Sequence, residues 1–262
     1  MPPADANRPG PRFADVRRYD EVDSTNRVAS DLVRAGAPEG VVVVADHQTA
    51  GRGRRGRSWE APPGSSLLVS VVLRAPDEGP CPLATIACAL AATDACADVA
   101  GLAPGLKWPN DLVVGPERAT GPERKLGGVL AEVPAGCGAV VVGLGLNVRW
   151  PGPMPPHLAP TAVTVEEVAG EAVDRRQLLG AYLDRLDDRC RQLADTAGRR
   201  ALMDDYRRHS ITLGRAVRVE LPGGRVCVGT VTEITDDGCL LVASATGTRR
   251  LAAGDVVHLR SS

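Results

Sequence analysis

Lys125-Leu126-Gly127-Gly128-Val129-Leu130-Ala131-Glu132-Val133 and Ala139-Val140-Val141-Val142-Gly143-Leu144-Gly145-Leu146-Asn147-Val148, separated by Pro134-Ala135-Gly136-Cys137-Gly138, decide how this chain folds. Both runs have strand length and composition with breakers between them, so Leu126 to Val133 and Ala139 to Val148 read as neighbouring strands. Each places two glycines where a strand would carry bulk. Glycine inside a strand marks close approach of a ligand or of another backbone. Laid side by side, the two sets can leave a slot floored by backbone and guarded by Lys125 and Asn147. Ordinary β-bulges give the same pattern, and the residues alone leave both readings open.

Outward from this pair, Gly40 to Asp46 and Ser66 to Arg74 read as buried strands, and Pro82 to Val99 as an Ala-rich buried helix. Lys107 to Val114 reads as one short strand with a turn at Pro109-Asn110. Ser24 or Thr25 can cap a helix over Arg27 to Ala35, stopped by Gly36. Asp174 with Gln177 forms a capping box for a helix from Arg175 to Ala194, followed by another over Arg199 to His209. From Gly214, short β-rich runs alternate with Gly-containing turns. The expected fold class is α+β: residues 1–12 disordered, a mixed β-sheet domain with flanking helices over 13–212, and a small β-barrel over 213–262.

Composition narrows the function classes. Net charge is -1, so no basic field is available to hold nucleic acid, and aromatics at 3% make a base-stacking surface a poor reading. The N-terminus is polar and Pro-rich, unlike a signal peptide, and the apolar run Leu83 to Ala92 is short for a bilayer span. A cytoplasmic location without membrane contact is expected. No CxxC pair occurs among the seven cysteines, which read as small buried hydrophobes. Of 31 basic residues only two are Lys, Lys107 and Lys125, and Asn occurs at positions 7, 26, 110 and 147 alone. Where arginine is the default cation, a surviving lysine suggests a site needing a compact ammonium.

Gly51-Arg52-Gly53-Arg54-Arg55-Gly56-Arg57 places four arginines in seven residues. They repel one another unless water or an anion separates them, and the glycines let backbone N–H groups approach a ligand. Phosphate fits, because guanidinium holds it bidentately. A nucleic-acid patch and a solvated basic loop fit the same residues. Trp59 could lid a purine or an arginine plane. In Lys107-Trp108-Pro109-Asn110-Asp111, Lys107 could take a phosphate oxygen, and Asn110 or Asp111 a magnesium-bound phosphate through water. An ordinary Asn-Asp turn beside a half-buried Trp108 is the alternative.

Together these pieces resemble the biotin–protein ligase family. Ser24-Thr25-Asn26, Gln48 to Trp59, Lys107 to Asp111, Lys125 to Leu130 with Glu132, and Gly143 to Asn147 follow in the family's order. The resemblance implies an SH3-like barrel at the C-terminus. It also implies a two-step reaction, in which biotin and ATP form biotinyl-5'-AMP and biotin passes to a lysine of a biotin carboxyl carrier protein domain. Lys125, Arg52 and Arg54 would be catalytic. Ser24, Thr25, Asn26, Gln48, Gly51, Arg52, Gly53, Arg54, Lys125 and Gly128 would hold biotin. Arg54, Arg57, Trp59, Lys107, Asn110, Asp111, Lys125, Asn147 and Arg260 would line the ATP side. Magnesium would arrive with ATP, with no metal site of the protein's own. About a dozen residues precede the matching region, where many family members carry a helix-turn-helix, so no DNA partner is expected. The rival readings are a lipoate- or octanoate-handling enzyme of related fold, which would share the lysine-bearing strand, and a nucleic-acid regulator, whose binding would fall steeply with salt.

Overall fold

The computed structural model describes residues 12–74, 82–115 and 123–259. The expectation of disorder for residues 1–12 therefore falls almost wholly outside the described residues; Arg12 itself is tied to Glu39 and Asp187.

Seven strands form the main sheet: β1 (Val16–Val22), β2 (Val42–Gln48), β3 (Ser66–Arg74), β4 (Gly105–Lys107), β5 (Asp111–Val114), β6 (Arg124–Glu132) and β7 (Ala139–Asn147). Their order is β1-β2-β3-β7-β6-β5-β4. β1 and β2 run parallel and every other neighbouring pair antiparallel, so the sheet is mixed. The expected pair from the sequence is central, with Gly128 directly opposite Gly145.

Period-two alternation sends β2 to both faces. Val42 and Val44 join a core with α2 (Pro82–Ala100), α4 (Arg175–Gln192) and α5 (Thr196–His209). Val41 and Val43 meet Ala29 and Val33 of α1 (Thr25–Arg34) on the other side. α2 is apolar nearly all round and buried for most of its length, as such a helix must be. It is longer than its apolar run suggested and passes a membrane-span test on length and composition, but it packs here as the core helix. A short α3 (Val165–Ala169) precedes α4, whose Asp174 caps Arg176 N.

The second sheet contains β8 (Ala216–Glu220), β9 (Val226–Ile234), β10 (Leu240–Ser244), β11 (Gly247–Leu251) and β12 (Asp255–His258), in the order β11-β10-β9-β8-β12 and antiparallel throughout. This is the small SH3-like barrel. Its inward residues, among them Val217, Val219 and Ile234, belong to the same apolar cluster as α2 and the main sheet.

Two local readings are corrected. Lys107 to Val114 is not one strand but a hairpin, with Trp108-Pro109-Asn110 as its turn and Lys107 opposite Asp111. The Trp108–Pro109 bond is cis. Trp108 is buried rather than half-buried, because its Nε1 donates to the Gly238 carbonyl of the barrel. Ser24 holds the N-cap position of α1 without a side-chain cap bond. Most of the Gly115 to Arg124 loop, like Cys81, lies outside the described residues.

Candidate active site

The glycines of β6 and β7 make room for particular side chains. At Gly143 a side-chain carbon would collide with Oδ1 of Asn26. At Gly145 it would lie 2.7 Å from the Trp59 ring, and at Gly128 it would lie 3.2 Å from Cε and Nζ of Lys125. The two strands are thinned where an amide, an indole and an ammonium must cross them.

The start of α1 supplies one wall. Ser24, Thr25 and Asn26 are all buried. Thr25 donates its backbone N–H and its hydroxyl to Oε1 of Gln48, at 2.8 and 3.0 Å. Asn26 Nδ2 donates to the Leu130 carbonyl and to Glu132, while Ser70 Oγ lies 2.7 Å from Asn26 Oδ1 and 2.8 Å from Thr25 Oγ1. These groups line a narrow slot together with Arg52, Trp59, Gly128 and the β7 glycines. Its hydroxyls and amides are held in a network, so the slot is a rigid array of neutral polar groups.

On the far side of Gly128 the slot opens into a cleft of about 260 Å³ lined by Arg54, Arg57, Lys107, Asn110, Asp111 and Lys125. The arginine loop forms its rim. Trp59 N donates to the Gly51 carbonyl and Gly53 N to the Arg57 carbonyl, closing the loop on itself. Gly51 permits this crossing, since a side-chain carbon there would sit 2.5 Å from the Trp59 carbonyl. Arg55, at the tip, has a left-handed φ of 57°.

Each arginine of the loop has a partner. Arg52 pairs with Glu132, Arg54 donates to Asn110 Oδ1 and the Gly254 carbonyl, and Arg55 and Arg57 share Asp255. The mutual repulsion expected from sequence is thus relieved partly by the barrel. Burial pushes the Arg54 guanidinium down from its usual value, against the opposing charges of Asp255 and Asp111. It stays a cation, poorly solvated and close to an open cleft.

Lys125 stands where slot and cleft meet. Its Nζ is 2.6 Å from Asp111 Oδ1 and 5.6 Å from the centre of a Trp59 ring. Its backbone is fixed by Thr161 and Val163. A second cleft of about 330 Å³ continues past Lys125 and Lys107 to Asn147, Trp150 and Leu158. Asn147 is buried and donates to the carbonyls of Val163 and Lys125, so it braces this cleft. Nε1 of Trp59 is buried with no partner among the described residues.

Of the residues expected on the biotin side, Ser24, Thr25, Asn26, Gln48, Arg52 and Gly128 come together in the slot. Gly53, Arg54 and Lys125 stand in the adjoining cleft, and Gly51 anchors the loop. Of those expected on the ATP side, Arg54, Arg57, Trp59, Lys107, Asn110, Asp111 and Lys125 share that cleft, with Asn147 beyond it. Arg260 lies outside the described residues. Sequence reasoning missed Ser70, whose only signal is a polar residue within the apolar run of β3, and Asp255, which has none. The described cysteines other than Cys137 are buried, and burial pushes Cys96 and Cys190 up to about 12, far from a reactive thiolate.

Comparison with known proteins gives the family. Residues 19–148 match the biotin/lipoate A/B protein ligase family, and residues 212–259 match the biotin protein ligase C-terminal domain. The fold and site therefore define a ligase of that broad class. The chain is 38% identical over 256 residues to the biotin--[acetyl-CoA-carboxylase] ligase of Mycobacterium tuberculosis, an alignment covering 93% of this chain and 90% of that protein. It belongs to the biotin–protein ligase family of enzymes. It is also similar to the solved biotin protein ligase from Aquifex aeolicus in complex with biotin and ATP, with a TM-score of 0.80, 25% identity and coverage of 95% of this chain and 100% of that one. The biotin protein ligase from Leishmania major in complex with biotinyl-5-AMP gives a TM-score of 0.63 at 26% identity, covering 92% and 99%.

Proposed function

We propose that this enzyme joins biotin to ATP as biotinyl-5'-AMP and then transfers biotin to a lysine of a biotin carboxyl carrier protein domain. The observation that carries the reading is the meeting of a neutral, amide-lined slot with a cation-lined cleft at Gly128, under Lys125. A flat, uncharged ureido ring suits the slot. A triphosphate suits the cleft.

The chemistry follows from charge. A biotin carboxylate must attack the α-phosphorus of ATP, bringing two anions together, so preorganised cations are the main catalytic need. Lys125 is placed to touch both anions, once it leaves Asp111 for them. Arg52 would help enclose biotin at the slot, while Arg54, Arg57 and Lys107 would offset the phosphate charge. Attack expels pyrophosphate and leaves a mixed anhydride. The acceptor lysine's amine then attacks the biotinyl carbonyl and AMP departs. The arginine loop and Trp59 would keep water from that anhydride.

Magnesium would enter with the nucleotide. Among the described residues no group of three or more metal-ligating side chains occurs, so phosphate and water oxygens would supply most of the coordination, with Asp111 the carboxylate in reach. We divide the chain functionally at residue 212, with most groups of both substrate sites before it and after it a barrel that adds Asp255 and Val256 to the edge of the cleft. A cytoplasmic setting fits the buried thiols.

The test is incubation with ATP and radiolabelled biotin, with lipoic acid as a competing acid. Labelled biotinyl-adenylate, and labelled carrier domain once that is added, are the expected products. Selective activation of lipoic acid, or no adenylate from a folded protein, would overturn the reading.

A further inference from the structure

Lys107 is approached from two directions by groups with no part in the scheme above. Glu123, just before β6, places Oε2 3.4 Å from Lys107 Nζ and Oε1 2.6 Å from Nδ1 of His258. His258 ends β12 of the barrel, and its side chain is only 9% exposed. Its Nε2 lies 3.3 Å from Thr212 Oγ1, which accepts the backbone N–H of Trp108, the residue after Lys107.

Counting protons fixes the state of this chain. Thr212 Oγ1 accepts from Trp108, leaving its hydroxyl hydrogen for Nε2 of His258. The imidazole hydrogen then sits on Nδ1 and is donated to the Glu123 carboxylate, which also accepts from the Lys107 ammonium. With His258 neutral, both imidazole nitrogens and the Thr212 hydroxyl have partners of matching sense. Protonating Nε2 would turn it from acceptor into donor, so the Thr212 hydroxyl would have to turn its hydrogen away and accept from both Nε2 and Trp108 N. The charged groups around His258 are Glu123, Lys107 and Arg215; burial holds the imidazole below its usual value despite the carboxylate. Burial, the largest single influence, would raise the Glu123 carboxyl, but the bonds and charges of His258 and Lys107 together outweigh it and the carboxylate is held low.

A lysine stem is flexible, and an ammonium helps a developing charge only if it is already aimed. We propose that Glu123 and His258 are positioning residues for Lys107 in adenylate formation, so that the barrel's last strand aims a lysine on the nucleotide side. The inference rests on the ATP reading of the cleft given above.

Single-turnover adenylation by the full chain tests it, with Glu123→Gln, His258→Ala and His258→Asn. Glu123→Gln keeps shape but loses charge, and should lower the rate at saturating ATP about tenfold, the scale of one charge-assisted hydrogen bond. The half-saturating ATP concentration should not rise more than about twofold, because the lost carboxylate competed with phosphate for the same ammonium. His258→Ala should act in the same direction. His258→Asn keeps a donor near Nδ1 that cannot titrate, and should restore most of the rate. In the unmutated enzyme the rate should fall as pH drops through the lowered His258 value, and this acid limb should vanish in His258→Asn. Transfer from preformed biotinyl-adenylate should be unaffected, which a general loss of structure would not allow. An unchanged or faster saturating rate in Glu123→Gln overturns the proposal, as does an acid limb that persists in His258→Asn. No adenylate from the unmutated chain would instead remove the ATP reading beneath it.

Discussion

The slot and the cleft meet at one glycine and are built by opposite means. The slot is made within the main sheet and α1, from buried neutral groups already bonded to one another. The cleft is made between the arginine loop, the β4–β5 hairpin and the barrel, from exposed or half-exposed ion pairs. Arg57 and Arg55 have 60% and 37% of their side-chain surface exposed, whereas Thr25 and Asn26 are 4% exposed. A preformed neutral array discriminates by shape. Paired ions cannot bind an anion without exchanging partners, so each carboxylate in the cleft holds a place that a substrate anion takes over. The two halves should therefore answer differently to crowding, charge removal and salt.

Crowding the slot gives the largest expected separation. Gly143→Ala would drive a methyl into Asn26, which is held from three sides. Overpacking of this kind costs about 1–3 kcal/mol, so biotin affinity should fall by about 10- to 100-fold. ATP affinity should stay within about twofold, since no nucleotide-side group moves. Titration calorimetry with each ligand checks this, and equal losses for both would erase the distinction.

Charge removal in the cleft comes next. Asp255→Ala removes the carboxylate shared by Arg55 and Arg57, leaving Arg55 only its bonds to the Glu220 and Leu221 carbonyls of the barrel. Allowing for solvent screening of these exposed pairs, we expect the half-saturating ATP concentration to change by about three- to tenfold, with biotin affinity unmoved. Salt should sharpen the contrast. Between about 0.05 and 0.5 M the apparent ATP affinity should fall several-fold while biotin affinity falls less, because the triphosphate carries several screened charges and biotin a single carboxylate.

The smallest effect sits inside the slot network. Ser70→Ala removes a hydroxyl between Thr25 and Asn26 and leaves a buried amide oxygen without its donor. That should cost about 1 kcal/mol, seen as an approximately fivefold weaker biotin affinity and a melting temperature lower by about 2–4 °C. An affinity change above that of Gly143→Ala would mean that chemistry, not shape, dominates the slot.

The same contrast explains what could be read in the sequence. The slot was partly legible from a local signal, the glycines at strand positions 128, 143 and 145; its wall of Ser24, Thr25 and Asn26 came from the family resemblance, and the expected guards Lys125 and Asn147 stand in the adjoining clefts. Strands β2, β3, β6 and β7 were legible from apolar runs, but of the sheet order only the β6–β7 pairing was expected. β1 was missed because Val16–Val22 is a half-exposed edge strand with charged residues at most positions. The hairpin was merged into one strand because each arm is only three or four residues long. The cleft was half legible. Its cations announced themselves through arginine density and lysine scarcity, but their partners did not. Asp255 meets Arg55 across 200 residues, and His258 meets Glu123 across 135. Pairings of that range leave no local pattern, since nothing near Asp255 distinguishes it from any other surface carboxylate.

The central claim is that Lys125, at the junction, bridges the two anions. Single-turnover kinetics of both half-reactions for Lys125→Arg tests it most directly, with circular dichroism confirming the fold. Guanidinium keeps the charge, but its planar fork cannot bridge two anions as a compact ammonium does. Losing one preorganised donor costs ~3–4 kcal/mol, so adenylate formation should slow by about 10²–10³, while transfer from preformed biotinyl-adenylate slows much less. Near-normal adenylation by a folded Lys125→Arg enzyme would contradict the account.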